Sequence, residues 1–134
     1  RDKGKFDHNS YNKDNETNYL NYDHAEINKE LLNYYKGLIA LRNTYDAFRR
    51  AEYDNIIFYE HPKSDFGFAY ILKHDKDVFI VLFNADKQQE LNFTLPEGTW
   101  QVLVDKNSAG LKTMYELDGR IKLGNSTGMV LKLK

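Results

Sequence analysis

Leu31-Leu-Asn-Tyr-Tyr-Lys-Gly-Leu-Ile-Ala-Leu-Arg42, continued by Asn43-Thr44 and then by Tyr45-Asp46-Ala47-Phe48-Arg49, decides how the rest of the chain is read. Ile27, Leu31, Tyr35, Leu38 and Leu41 recur at spacings of four and three, and Leu32 with Ile39 widens the stripe. Apolar residues at that period share one broad helix face, and so wide a face implies something large to cover it. At the upstream end Asp23 is placed to accept from the free amides of a first turn while Glu26 reaches back. This is a capping-box arrangement, with both acids at the positive end of the dipole. The spacing predicts one long helix from about Asp23 to about Arg42.

Working outward, Asp46-Ala-Phe-Arg-Arg50 reads as a short turn. Lys36, Arg42, Arg49 and Arg50 read as a solvated face, with Arg42 well placed at the negative helix end. From Ala51 the pattern changes to short β-like runs separated by turns, beginning with Asn55 to Glu60. Phe66 to Leu72 and Asp77 to Phe83 are nearly continuous apolar runs joined by a polar turn at Lys73 to Lys76, which predicts a central strand pair covered on both faces. Leu91, Phe93 and Leu95 alternate with polar neighbours, Trp100, Val102 and Val104 share a face, and Leu111, Thr113, Tyr115 and Leu117 alternate again. Asp118-Gly119 is a two-residue hairpin signal because both residues tolerate positive φ, with Ile121 and Leu123 on the return strand. Met129 to Leu133 closes the domain. Seven or eight such strands predict a mainly β fold, an antiparallel Greek-key β-sandwich preceded by a loop and one long α-helix. The boundary falls near Ala51, dividing the chain into 1–50 and 51–134.

A length of 134 residues allows one domain, or one domain plus a short attached piece of another, well under the roughly 250 residues of a complete TIM barrel. The formal net charge of −1 carries no footprint for nucleic acid or an anionic membrane, and no apolar run is long enough to span a bilayer. The absence of cysteine removes disulfides, thiolate catalysis and cysteine-ligated zinc. Arg1 in place of Met, with no leader-like pattern, leads to the expectation that the chain is a piece of a longer protein. Ten Tyr, eight Phe and one Trp suit a pleated core, sugar-stacking surfaces being the other use of such rings.

Residues Arg1 to Asp23 have loop composition. Asn9, Tyr11, Asn12, Asn15 and Asn18 present amides and a phenol suited to sugar hydroxyls and pyranose faces, against the competing reading of a solvated Asn-rich linker. Here a resemblance enters. Tyr34-Tyr-Lys-Gly-Leu-Ile-Ala-Leu-Arg42 followed by Ala47-Phe-Arg49 resembles the last barrel helix of the pullulanases, starch-debranching enzymes of glycoside hydrolase family 13. Asn9-Ser-Tyr-Asn12 and Asn18-Tyr-Leu-Asn-Tyr22 resemble the loop before that helix. Three positions depart from the family pattern: Asn15 stands where an Asp aligns, unless Asp14 substitutes for it, Asn21 replaces Asp, and Tyr22 replaces Trp.

The resemblance implies that residues 1–50 close a catalytic barrel and residues 51–134 form its C-terminal sandwich, with Val78 to Asn84 and Gly98 to Trp100 in core strands. It implies that the loop closes one side of the cleft, which makes Asn9, Tyr11, Asn12, Asn15 and Asn18 the substrate-side residues. The parent would hydrolyse α-1,6 bonds in pullulan and branched starch with retention, binding α-glucans such as pullulan, starch and glycogen. The missing barrel is the second implied partner, self-association through the uncovered helix face the third, and location stays open between a bacterial cytoplasm and secretion.

Retaining glycoside hydrolysis uses two carboxyl groups about 5 to 5.5 Å apart, set at the ends of barrel strands. The resemblance covers only the region beyond the last barrel strand, so no catalytic residue is assigned and the isolated chain is expected to be inactive. Asp75 and Asp77 point one way in extended chain, and Glu60, Asp65, Glu90 and Glu97 are scattered, which reads as charged turns and strand ends. A calcium loop around Asp75-Lys-Asp77 lacks the ligand spacing. His8, His24, His61 and His74 lack zinc spacing, and Ser10, Ser64, Ser108 and Ser126 lack a nucleophile elbow. No metal and no cofactor is expected. Asn-x-Ser/Thr sequons at Asn15, Asn92 and Asn125 are attributed to the abundance of Asn. The alternative reading is a stand-alone carbohydrate-binding sandwich for α-glucans, its face drawn from Tyr53, Tyr59, Tyr70, Trp100 and Tyr115.

Overall fold

The computed structural model describes residues 22–134, so the substrate-side expectation at Asn9, Tyr11, Asn12, Asn15 and Asn18 lies outside the described residues. The long helix forms in two pieces, α1 (Asp23–Ile27) and α2 (Lys29–Thr44), followed by a short α3 (Ala47–Arg50). At Asn28 the backbone leaves the helical region, with φ −110 and ψ 36. Its side-chain amide donates to the His24 carbonyl at 2.9 Å, supplying a partner for the end of α1. The capping box read at Asp23 and Glu26 does not form. The N-cap is Tyr22, Asp23 already lies inside the first turn, and Glu26 pairs instead with Lys29 at 3.3 Å.

After a 3-10 turn at Tyr53–Asn55 come the described strands: β1 (Ile56–Glu60), β2 (Gly67–His74), β3 (Asp77–Asn84), β4 (Leu91–Thr94), β5 (Trp100–Val104), β6 (Glu116–Leu117), β7 (Arg120–Leu123) and β8 (Thr127–Leu133). They make a six-stranded sheet in the order β1-β2-β3-β8-β5-β6 and a two-stranded sheet β4-β7, with antiparallel pairing throughout. The chain crosses from the large sheet to the small one after β3, returns after β4, crosses again after β6 and returns after β7. This is a mainly β sandwich, as the strand pattern predicts.

Alternation decides which face each residue serves. Ala69, Ile80, Leu82, Trp100, Val102, Met129 and Leu131 face Leu91, Phe93, Ile121 and Leu123 of the small sheet and form the inner core. Leu72, Phe79, Leu103 and Val104 form a second cluster on the outer face with Leu41 and Ala47 of the helices. β3 therefore is buried on both faces, as its continuous apolar run predicts.

Four local expectations are corrected. The β2–β3 turn is tighter than read, since His74 pairs with Asp77 and only Asp75 and Lys76 lie between, Asp75 at φ 51. A register shift between Val102 and Val104 breaks the alternation of β5, so Val104 joins the outer cluster instead of sharing a face with Trp100 and Val102. Leu111 to Tyr115 is irregular, and Met114 and Leu117 rather than Leu111 and Tyr115 pack on the inner core. Asp118-Gly119 is not a hairpin. Gly119 does take φ 68, but β6 and β7 belong to different sheets, and the turn carries the chain between them.

Two residues are expected to control stability. The space for a Gly37 side chain is already filled by the β5–β6 connection: a Cβ would stand 1.8 Å from the Ala109 carbonyl oxygen. Gly37→Ala should lower the melting temperature, costing about 1–3 kcal/mol by overpacking, whereas an open helix site would gain about 1 kcal/mol. Asn84 is buried, and its Nδ2 donates to the carbonyls of Gln89, Leu123 and Gly124 at 2.8, 3.2 and 3.0 Å. Asn84→Ala strands those carbonyls and should cost about 2–3 kcal/mol in denaturant titration.

Candidate functional site

The part of the described surface built for contact lies where α2 crosses the outer face of the large sheet. Tyr34, Leu38 and Leu41 pack down onto the outer cluster, and the Tyr34 hydroxyl donates to the Asp105 carbonyl at 2.8 Å. Tyr45 and Phe48 close over Phe79, with ring centroids 4.9 and 4.7 Å away. Arg42 donates to the Phe48 carbonyl and so fastens α2 to α3. Half of the apolar stripe is consumed this way. The other half is not: Leu31, Tyr35 and Ile39 are 58, 58 and 57% exposed, and Ile27 on α1 is 77% exposed.

A cavity of about 440 Å³ lies between helix and sheet, with Leu38 and Arg42 on one wall and Tyr70, Phe83 and Val130 on the other. A wider groove of about 750 Å³ runs between Glu30, Leu31 and Tyr34 of α2 and the loop Lys106 to Ala109. Asp105 holds that loop, its carboxylate accepting from the amides of Asn107 and Ser108 at 2.8 and 2.9 Å. The walls of the cavity are mainly aliphatic and aromatic, chemistry for packing rather than proton transfer.

The carboxylates are engaged elsewhere. Asp77 pairs with Lys132 at 3.2 Å and Glu116 with Lys134 at 3.1 Å, while Glu90 contacts Lys122. The hydrogen bond from Arg49, followed by the charges of Arg50 and Arg49, holds Asp46 below the usual carboxylate range. Hydrogen bonds from Lys134 and then Gln101 do the same for Glu116. A general acid at neutral pH needs the opposite shift. Among the described residues no three His, Cys, Asp or Glu side chains gather as metal ligands. His61 is structural: its Nε2 lies 2.8 Å from the Asn92 carbonyl while Nδ1 accepts from the Lys63 amide at 3.2 Å, joining the β1–β2 turn to β4.

The aromatics proposed for a sugar face do not assemble. Trp100 is buried with Nε1 donating to the Pro96 carbonyl at 3.0 Å, and Tyr59 packs against the inner core. Tyr53 and Tyr115 are exposed but flank opposite edges of the large sheet. Burial pushes the phenols of Tyr59 and Tyr70 up. The aromatics that do come together are Phe58, Phe68, Tyr70 and Phe83, adjacent on β1, β2 and β3. The signal for them was alternation within runs that read as wholly buried.

Solved structures sharing this architecture are enzymes of the glycoside hydrolase class. The fold and its entry helix match pullulanase from Bacillus acidopullulyticus over 94% of the chain, at 29% identity and a TM-score of 0.79. Pullulanase from an Anoxybacillus species, complexed with maltotetraose, matches over 94% at 22% identity and TM-score 0.76. Type I pullulanase from Bacillus subtilis, complexed with maltose, matches over 93% at 24% identity and TM-score 0.75. The chain spans 16 to 18% of the length of these relatives. No family model matches. The chain is similar to the C-terminal part of pullulanases, as the helix motif implies.

One prediction concerns pH. Because the folded state holds Glu116 below its ordinary value of 4.5, its contribution to stability is present above that value and is lost as pH falls through the depressed one. Glu116→Gln should therefore melt below the parent chain at neutral pH, and the gap should close once the pH drops under the usual glutamate range. A gap that persists unchanged in acid would reject the assignment.

Proposed function

We propose that this chain is the C-terminal portion of a pullulanase-type debranching hydrolase, in which residues 1–50 complete the catalytic barrel and residues 51–134 support it. The observation that carries this reading is the divided stripe of α2. Leu38 and Leu41 are spent on the sheet, while Leu31, Tyr35 and Ile39 face solvent on a helix already anchored. A helix serving only the sandwich has no use for that second flank. The similarity to pullulanases and their far greater length supply the body that would cover it.

In this role the parent hydrolyses α-1,6-glucosidic bonds in pullulan and branched starch with retention, using carboxylates carried by the preceding strands. Asn9, Tyr11, Asn12, Asn15 and Asn18 border its substrate cleft. The chain alone is inactive, because its carboxylates are scattered in ion pairs rather than set as a facing pair.

The test compares this chain with the longer polypeptide that its coding region specifies, assayed for reducing ends released from pullulan. Turnover by the longer polypeptide alone is the expected result. Turnover by the 134-residue chain itself, or a coding region with nothing upstream, would sink the proposal.

A further inference from the structure

The groove between the start of α2 and the β5–β6 loop has walls that are set before anything enters it. On the loop side the Asp105 carboxylate accepts from the amides of Asn107 and Ser108. The Asp105 amide donates to the Ser108 carbonyl and the Gly110 amide to the Leu103 carbonyl, both at 3.0 Å. On the helix side the Tyr34 hydroxyl is tied to the Asp105 carbonyl, and Gly37 lets the Ala109 carbonyl lie against the helix. Loop and helix are thus held at a fixed spacing around about 750 Å³. A preformed cleft of several hundred Å³ is the usual form of a small-ligand site.

Its lining differs from that of the cavity under Leu38. Glu30 and Asn33 stand on the helix wall, and Lys106, Asn107 and Ser108 on the loop wall. All five are exposed, and among the described residues none of their side chains makes a hydrogen bond or an ion pair. They offer amide, hydroxyl, ammonium and carboxylate groups, so donors and acceptors face the same space. The Tyr34 ring adds an apolar strip. One carboxylate and one ammonium leave the groove without net charge, whereas phosphate sites gather cations and divalent-cation sites gather anionic oxygens. A neutral polyhydroxylated chain, with hydroxyls at its rim and C–H groups on its ring faces, meets all of this chemistry.

We propose that this groove is an accessory α-glucan site, separate from the cleft in which hydrolysis takes place. The inference rests on the function proposed above, which narrows a neutral polyhydroxylated ligand to α-glucan. The groove opens at the incoming end of α2, which the chain reaches from the residues assigned to the cleft border: Asn18 precedes Glu30 by twelve positions. A branched glucan held in the groove gains a second point of attachment to the enzyme. Its other chains are thereby kept at high effective concentration beside the cleft.

Titration of the 134-residue chain with maltotetraose, followed by NMR, tests this. The side-chain amides of Asn33 and Asn107 should shift with a dissociation constant on the order of a millimolar, while Asn92 on β4 stays still. Asn33→Ala/Asn107→Ala should keep the melting temperature and weaken binding about tenfold. Silence at both amides, or shifts confined to Phe58, Phe68 and Phe83, overturns the inference. So does binding that fades as salt is raised, because a neutral ligand is indifferent to screening. In the longer polypeptide, exchange of the Lys106 to Ala109 amides should slow when maltotetraose is added. Binding by the 134-residue chain that is lost in the longer polypeptide assigns the groove to the polypeptide itself and overturns the site. Pullulan hydrolysis with a silent groove overturns the inference and spares the proposed function, and a groove that binds without hydrolysis does the reverse.

Discussion

The sandwich depends on one buried amide. Asn84 ends β3 on the inner face, and its Nδ2 serves carbonyls at Gln89, Leu123 and Gly124 while its Oδ1 accepts from the Asp86 amide at 2.9 Å. Those partners sit at the start of β4 and the end of β7, so one side chain fixes the small sheet over the large one. Burying such a group without partners would cost several kcal/mol. Any other placement of β4 and β7 is therefore penalised twice, by the stranded amide and by the exposure of Leu91, Phe93, Ile121 and Leu123. At the far end of the small sheet, Leu95 donates to the Gly119 carbonyl at 2.7 Å and Trp100 to the Pro96 carbonyl. With both ends tied, the inner core has one register.

The outer face is organised around Phe79. It pairs with Leu72 across the β2–β3 ladder and lies under Tyr45 and Phe48, so helix and sheet share a cluster rather than merely touching. The bulge in β5 extends that cluster by turning Val104 outward beside Leu103. Gly37 then allows the Ala109 carbonyl to lie against the helix backbone. These contacts set the rotation of α2 about its axis, and that rotation sets the direction of the free flank at Leu31, Tyr35 and Ile39.

Much of this was legible in the sequence. Period-two alternation at Leu91/Phe93 and Ile121/Leu123, and the unbroken run of β3, locate strands because burial on one or two faces leaves a direct mark in residue order. Topology was less legible. Gly119 reports only that its own φ is positive, and a turn of that kind closes a hairpin or changes sheet with equal ease. The helix stripe was visible, but its division was not, because Leu38 and Leu41 are chemically indistinguishable from Leu31 and Ile39; the split is made by contacts distant in sequence. Phe68 and Phe83 were masked for the same reason, lying in runs whose apolarity reads as complete burial when one end of one face is open. The candidate substrate residues Asn9, Tyr11, Asn12, Asn15 and Asn18 fall outside the described residues, and their reading rests on amide chemistry and the resemblance.

The two apolar surfaces together say what kind of unit this is. Leu31, Tyr35, Ile39, Phe58, Phe68 and Phe83 each leave about half their area in water. Covering the remainder would contribute roughly 1 kcal/mol apiece, or about 6 kcal/mol in all. That sum approaches the whole stability of a typical small domain, about 5–15 kcal/mol. A partner that covered these residues would couple its own folding to that of the sandwich, and each would stabilise the other by the same amount.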